Sequence, residues 1–235
     1  MLLNETKERQ MYRLFGDILD YPHQGLSAAV DRCESLVAAC NPEGAGLLRD
    51  FKAFVQVTSQ GCLEEIYSAY FDLNPVCYPY VGYHIFGESY KRSTFLIRLK
   101  ELYRACGLPV DGPELPDRLS LVLRFLSISE DRELNQELIE DGLLPALDRI
   151  TGKKPAVSSA MEGDMQLEGH SAGEVLGGGF VLEAMQSSEG EGQGNLTSKN
   201  PYEQALVALR ITLESSRRED EDSLAASRNG GVNHA

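Results

Sequence analysis

Apolar residues recur along this chain at spacings of three and four, in runs bounded by proline, glycine and capping residues, the pattern of amphipathic helices packed against one another. Between Glu5 and Asp20, Met11, Leu14, Phe15, Ile18 and Leu19 share one face, and Tyr21-Pro22 ends the run. A second stripe carries Leu26, Val30, Cys33, Val37 and Cys40. Asn41-Pro42 opens a third, with Leu47, Leu48, Phe51, Phe54 and Val55. Gly61 is expected to interrupt the pattern before a fourth helix with Leu63, Ile66, Tyr67, Tyr70 and Phe71. After a loop, Phe95, Leu96, Leu99, Leu102, Tyr103 and Cys106 make a long stripe closed by Gly107. Leu119, Val122, Leu123 and Leu126 continue beyond Pro116, and Leu134, Leu138, Ile139, Leu143, Leu144 and Leu147 follow.

No run alternates with period two, so the expected architecture is all-α: a single-domain helical bundle of about seven helices over residues 1–150. From 151 to 200 glycine, serine and glutamate prevail, as in Ser187 to Gly194, which reads as a flexible linker. Pro201 then opens a C-terminal amphipathic helix to about residue 216, with Leu206, Leu209 and Leu213 able to dock on the bundle. A charged tail, 217–235, is expected after it.

Composition narrows the function. No apolar run approaches the roughly 20 residues of a membrane span, so membrane insertion is not expected. The charged N-terminal stretch lacks the features of a secretory signal, which points to the cytoplasm. The formal charge of −14 disfavours nucleic acid and suits a basic peptide as partner. Five cysteines without a C-x-x-C pair suit neither disulfides nor a zinc site, and most read as small buried hydrophobes. Gly177-Gly-Gly179 lacks the sequel of a phosphate loop, and no cofactor or metal is expected.

Chemistry concentrates between Glu64 and Leu126. Six of the ten tyrosines, Tyr67, Tyr70, Tyr78, Tyr80, Tyr83 and Tyr90, fall there within two dozen residues. Such rings either grip another polypeptide or fill the core beneath a long loop. The four histidines are scattered, and His84 with Glu88 beside Cys77 is the one pair an enzyme could use; a local hydrogen bond is the simpler role. Glu114-Leu-Pro-Asp117 is a rigid acidic connector, readable either as turn and cap or as a reader of basic peptides.

Read together, Glu65-Ile-Tyr67, Phe71-Asp-Leu-Asn74, Phe86-Gly-Glu-Ser89 with Arg92, then Leu99, Tyr103, Gly107, Glu114-Leu-Pro-Asp117, Leu119 and Phe125-Leu126 resemble the NarJ branch of the TorD/DmsD/NarJ redox-enzyme maturation chaperones. The resemblance implies a TorD-like, non-enzymatic cytoplasmic chaperone. Its partner would be the apo catalytic subunit of a molybdoenzyme, respiratory nitrate reductase in the NarJ case. It would bind that subunit's N-terminal segment and keep it competent for molybdenum cofactor insertion. A twin-arginine signal-bearing reductase, such as that for dimethyl sulfoxide, is the alternative client, and a small helical metal-dependent hydrolase the rival outside this class.

By position, the implied peptide-binding surface takes Tyr70, Phe71 and Leu73 with Glu114, Pro116 and Asp117; Tyr83 and Glu88 join it from the tyrosine-rich loop. Two positions depart from the family pattern. Arg118 stands where histidine is common, and Ser93 where glycine is. Arginine does not titrate near neutrality, so no pH-sensitive release is expected through position 118. Oligomeric state is expected to be a monomer or, by exchange of the C-terminal helix, a swapped dimer.

Overall fold

The structure, a computed structural model, describes residues 5–108, 110, 112–152 and 200–229. Among them are ten α-helices and no strand: α1 (Glu5–Ile18), α2 (Leu26–Val37), α3 (Pro42–Val57), α4 (Gln60–Phe71), α5 (Val81–Phe86), α6 (Tyr90–Ala105), α7 (Leu119–Ile128), α8 (Arg132–Glu137), α9 (Leu144–Ile150) and α10 (Pro201–Asn229). The all-α reading is therefore correct, with short helices added to the expected set.

Several boundaries have a local cause. Asn41 caps α3 by accepting from the Gly44 amide at 2.8 Å, with Pro42 in the first turn. Ser59 caps α4 through the Cys62 amide, so the helix starts at Gln60 and Gly61 lies inside its first turn instead of breaking it. Between α4 and α6 the expected loop contains a 3₁₀ turn, Pro75–Cys77, and the six-residue α5, which Gly87 ends at φ 60°. The seventh expected helix is α8 and α9 joined by a π-helical turn, Leu138–Leu143. Pro145 has no N–H to give the carbonyl four residues back, and the ladder widens just ahead of it.

Packing runs from neighbour to neighbour: α7 on α1, α1 on α2, α2 on α3, α3 on α10, α10 on α9, α9 on α5 and α5 on α6. One contiguous core results, with Met11, Phe15, Ile18, Val30, Leu48, Phe51, Leu123, Phe125, Leu147 and Leu206 fully buried. The last helix is integral to it. Tyr202 is enclosed by Phe51, Tyr67 and Phe71 at 5.1, 5.4 and 5.6 Å between ring centroids. Asn41 also donates to the Ile211 carbonyl at 3.0 Å and Ser215 Oγ at 2.8 Å, tying the start of α3 to α10.

Two expectations change. Most cysteines are not buried: Cys33 and Cys77 are, Cys40 and Cys62 are half-buried, and Cys106 is exposed. On α6 only Leu99 and Tyr103 are buried, because this helix rests on the rest of the fold by a narrow edge. The expected linker 151–200 falls, apart from its ends, outside the described residues, as does the tail beyond Asn229. Within the described part, helix continues past residue 216, where arginines and glutamates still favour it.

Candidate functional site

The connector after α6 is sewn to the segment before α5. Val81 N–H donates to the Asp117 carbonyl at 2.8 Å and Leu119 N–H to the Pro79 carbonyl at 2.7 Å, forming an antiparallel bridge between Tyr80 and Arg118. Tyr103, buried on α6, adds a third stitch by donating its hydroxyl to the Pro116 carbonyl at 2.8 Å. The proline-rigid turn thus becomes a fixed platform.

Within it Asp117 is fully buried. Arg92 reaches its carboxylate as a fork, Nε to Oδ2 at 3.0 Å and Nη2 to Oδ1 at 3.4 Å. The guanidinium sits over the rings of Tyr80 and Tyr83, 5.7 and 5.6 Å from their centroids. Burial raises the Asp117 carboxyl above the ordinary aspartate range, while Arg92 and the Gly82 and Asp117 amides pull it back only in part. The pair is a clamp between α6, α5 and the connector.

A second set of bonds flanks the clamp. Tyr80 donates its hydroxyl to Glu114 Oε1 at 2.9 Å, and Arg118 pairs with the other Glu114 oxygen. Burial and Glu114 push the Tyr80 hydroxyl up to about 12. Arg118 also donates to the Tyr67 hydroxyl at 2.9 Å, which in turn donates to the Leu19 carbonyl at 3.2 Å. Asp20 lies 3.5 Å from Arg118 and 2.7 Å from Arg124. These charges line a cleft of about 350 Å³ together with Tyr21 and Leu121.

Of the residues singled out from sequence, Tyr83, Glu114, Pro116 and Asp117 come together in this platform. Tyr70 and Phe71 do not present a surface: Phe71 is fully buried against Tyr67 and Tyr202, and Tyr70 packs on Phe71. Leu73, just past α4, is 77% exposed, and Glu88 is exposed after the Gly87 bend. Asp117 is not an exposed acidic tip but a buried anchor, because Arg92 meets it from a helix 25 residues earlier. The tyrosine cluster divides accordingly. Tyr67 and Tyr70 are core, Tyr78, Tyr80 and Tyr83 are half-buried around the clamp, and Tyr90 is exposed.

His84 and Glu88 form no pair. His84 is buried with Nε2 2.7 Å from the Tyr78 carbonyl, a donor's position, and burial lowers its pKa below the ordinary value. Cys77 is buried beside Asn74, whose amide donates to its sulfur at 3.4 Å. Among the described residues no group of three histidines, cysteines or carboxylates is placed to hold a metal. No described helix is long and apolar enough to cross a membrane.

Gly82 explains the closeness of the clamp. A Cβ there would lie 2.8 Å from Asp117 Oδ2 and 2.9 Å from the Phe95 ring. Gly82→Ala is expected to push the carboxylate off Arg92 and cost about 1–3 kcal/mol, read as a lower urea midpoint at unchanged m-value. An unchanged midpoint would show that the clamp tolerates displacement.

Residues 38–149 match the protein family described as nitrate reductase delta subunit, and this span holds both the clamp and the connector. A solved structure described as that of a redox enzyme maturation protein from Archaeoglobus fulgidus is similar at 26% identity, covering 62% of this chain and 84% of that one, with a TM-score of 0.43. No curated protein matches significantly.

Proposed function

Residues 38–149 carry the sequence pattern of the nitrate reductase delta subunit family, and from that premise we propose that this protein is a cytoplasmic maturation chaperone for a molybdoenzyme. Its client is the apo catalytic subunit, respiratory nitrate reductase by family, held through its N-terminal segment until the molybdenum cofactor has been inserted. The cofactor belongs to the client, and the chaperone performs no turnover of its own.

The observation that carries the reading is the platform itself. Residues from five separate stretches, Tyr67, Tyr80 to Tyr83, Arg92, Tyr103 and Glu114 to Arg118, are spent on fixing one turn beside an open cleft. Such fixing lets a peptide be bound without ordering the receptor at the moment of binding. In this role Asp117 and Pro116 are positioning residues. Direct contact falls to exposed groups: apolar Leu73 and Leu115 for the apolar side chains of the segment, and Glu88 for its basic ones.

The test is capture. Tagged protein is used to retain partners from cells grown by anaerobic respiration, and the retained proteins are identified by mass spectrometry. A molybdoenzyme catalytic subunit is expected, lost when its first few dozen residues are deleted, and its identity separates a nitrate reductase from a twin-arginine client. Leu73→Glu should weaken capture roughly tenfold, the scale of one contributing interface side chain. Recovery of no such subunit under inducing conditions would overturn the proposal.

A further inference from the structure

Helix α6 is the basic element of an acidic protein. Its sixteen residues include five cations, Lys91, Arg92, Arg98, Lys100 and Arg104, and one acid, Glu101, whereas the rest of the chain has seventeen cations and thirty-five acids. Arg92 is committed inward to Asp117, beside Phe95, Leu99 and Tyr103 on the buried side. The other four cations are all exposed.

Their arrangement follows from the helical repeat. With 3.6 residues per turn, the side opposite Arg92 and Leu99 has Tyr90, Thr94, Ile97 and Glu101 along its centre. Lys91 and Arg98 flank that centre on one edge, and Lys100 and Arg104 on the other. Tyr90 is 86% and Ile97 60% exposed, so the centre offers apolar contact between two basic edges.

Helix stability accounts for Arg104, which lies in the last turn, and not for the rest of this placement. Lys91 occupies the first turn, where the helix dipole disfavours a cation, and that turn contains no acid. Lys100 and Arg104, one turn apart, repel. Among the described residues Lys91, Lys100 and Arg104 form no ion pair, and Arg98 meets only Glu101, at 3.8 Å across a solvent-exposed gap. On a chain of charge −14 cations relieve self-repulsion best when dispersed among the acids, so charge balance does not account for four of them gathered without close partners along the two edges of one exposed apolar seam.

We infer that the exposed face of α6 docks an acidic, amphipathic helical segment of a partner protein. Apolar side chains of that segment cover Ile97 and Tyr90, and its carboxylates lie along both basic edges. The face is on the opposite side of α6 from the clamp, and its occupancy does not depend on the client-capture role.

Fluorescence anisotropy on the full chain tests this, using a labelled helical peptide of the same length as α6 with a leucine seam and glutamates on both flanks. Saturable binding is expected, weakening as salt rises. Reversing the four edge charges together (Lys91→Glu, Arg98→Glu, Lys100→Glu and Arg104→Glu) should weaken it about tenfold or more, the sum of several exposed pairs. Ile97→Ser alone should weaken it about threefold. All these side chains are at the surface, and an unchanged thermal midpoint confirms folding. Capture of the client subunit by the charge-reversed protein should persist. Absence of saturable binding, or indifference to charge reversal, overturns the inference, as does tighter binding to phosphatidylglycerol vesicles or to duplex DNA run alongside.

Discussion

Replacing Arg92 with alanine is expected to destabilise the protein by about 3–5 kcal/mol at neutral pH, the cost of leaving a buried carboxylate without its partner. Asp117 is wholly inaccessible, and with Arg92 gone its remaining hydrogen bonds come from the Gly82 and Asp117 amides. The deficit has a definite pH dependence. Burial already raises the Asp117 carboxyl in the folded protein, so the folded state holds its proton to higher pH than the unfolded chain does. Stability contributed by this group is therefore full below the unfolded aspartate pKa and is lost as pH rises through the folded one. Without Arg92 the folded pKa rises further, and the variant should recover part of its deficit as the solution is acidified. Urea titrations of both proteins across the acid range measure this. A deficit that does not shrink at acid pH would mean that stacking on Tyr80 and Tyr83, not the buried charge, is what Arg92 supplies. Combining Arg92→Ala with Asp117→Asn should cost less than the two changes summed.

Tyr202→Ala is the second large effect expected, about 3–5 kcal/mol, from an aromatic deletion where the surroundings cannot collapse. Tyr202 is fully buried among Phe51, Tyr67 and Phe71, which belong to α3 and α4, so its removal detaches the start of α10 from both. The hydroxyl does not contribute to this loss, because it is buried without a hydrogen-bond partner among the described residues. Tyr202→Phe is accordingly expected to be neutral or up to about 1 kcal/mol stabilising, since an unsatisfied polar group is removed and the ring kept. Denaturant midpoints of the two variants separate ring from hydroxyl, and a marked loss in the phenylalanine variant would mean that the hydroxyl has a partner.

The helices legible from sequence are those long enough to repeat their apolar face, α1, α2, α3, α4, α6 and α7, together with the start of α10. α5 was not legible, because six residues make too few turns to display a period and its tyrosines resemble a loop. The π turn between α8 and α9 preserves the apolar spacing closely enough that the three pieces read as one helix. On α6 the stripe Phe95, Leu96, Leu102 and Cys106 suggested deeper burial than Leu99 and Tyr103 alone receive, since periodicity tells which face is apolar and not how much of it is covered.

For the site, residue types along the connector were readable and their exposure was not. Asp117 looked like an acidic tip because its partner is on another helix, and pairing through space leaves no trace in local spacing. One signal was available. Arg92 occupies the same face of α6 as Phe95, Leu99 and Tyr103, and a cation on an apolar stripe implies a buried anion opposite. Gly82 would then have marked the point of closest approach, and Tyr70 and Phe71, on the apolar stripe of α4, would have been assigned to the interior.

Residues 153–199 separate α10 from the helices it packs against, which sets an order of events during synthesis. The ribosome adds about 5–20 residues each second, so α1 to α9 emerge several seconds before α10 can reach them. Through that interval the nascent bundle displays an aromatic notch at Phe51, Tyr67 and Phe71 that the finished protein never shows. A protein proposed to guard another's unfinished chain thus passes through an unguarded stage of its own, and truncation anywhere before Pro201 would make that stage permanent.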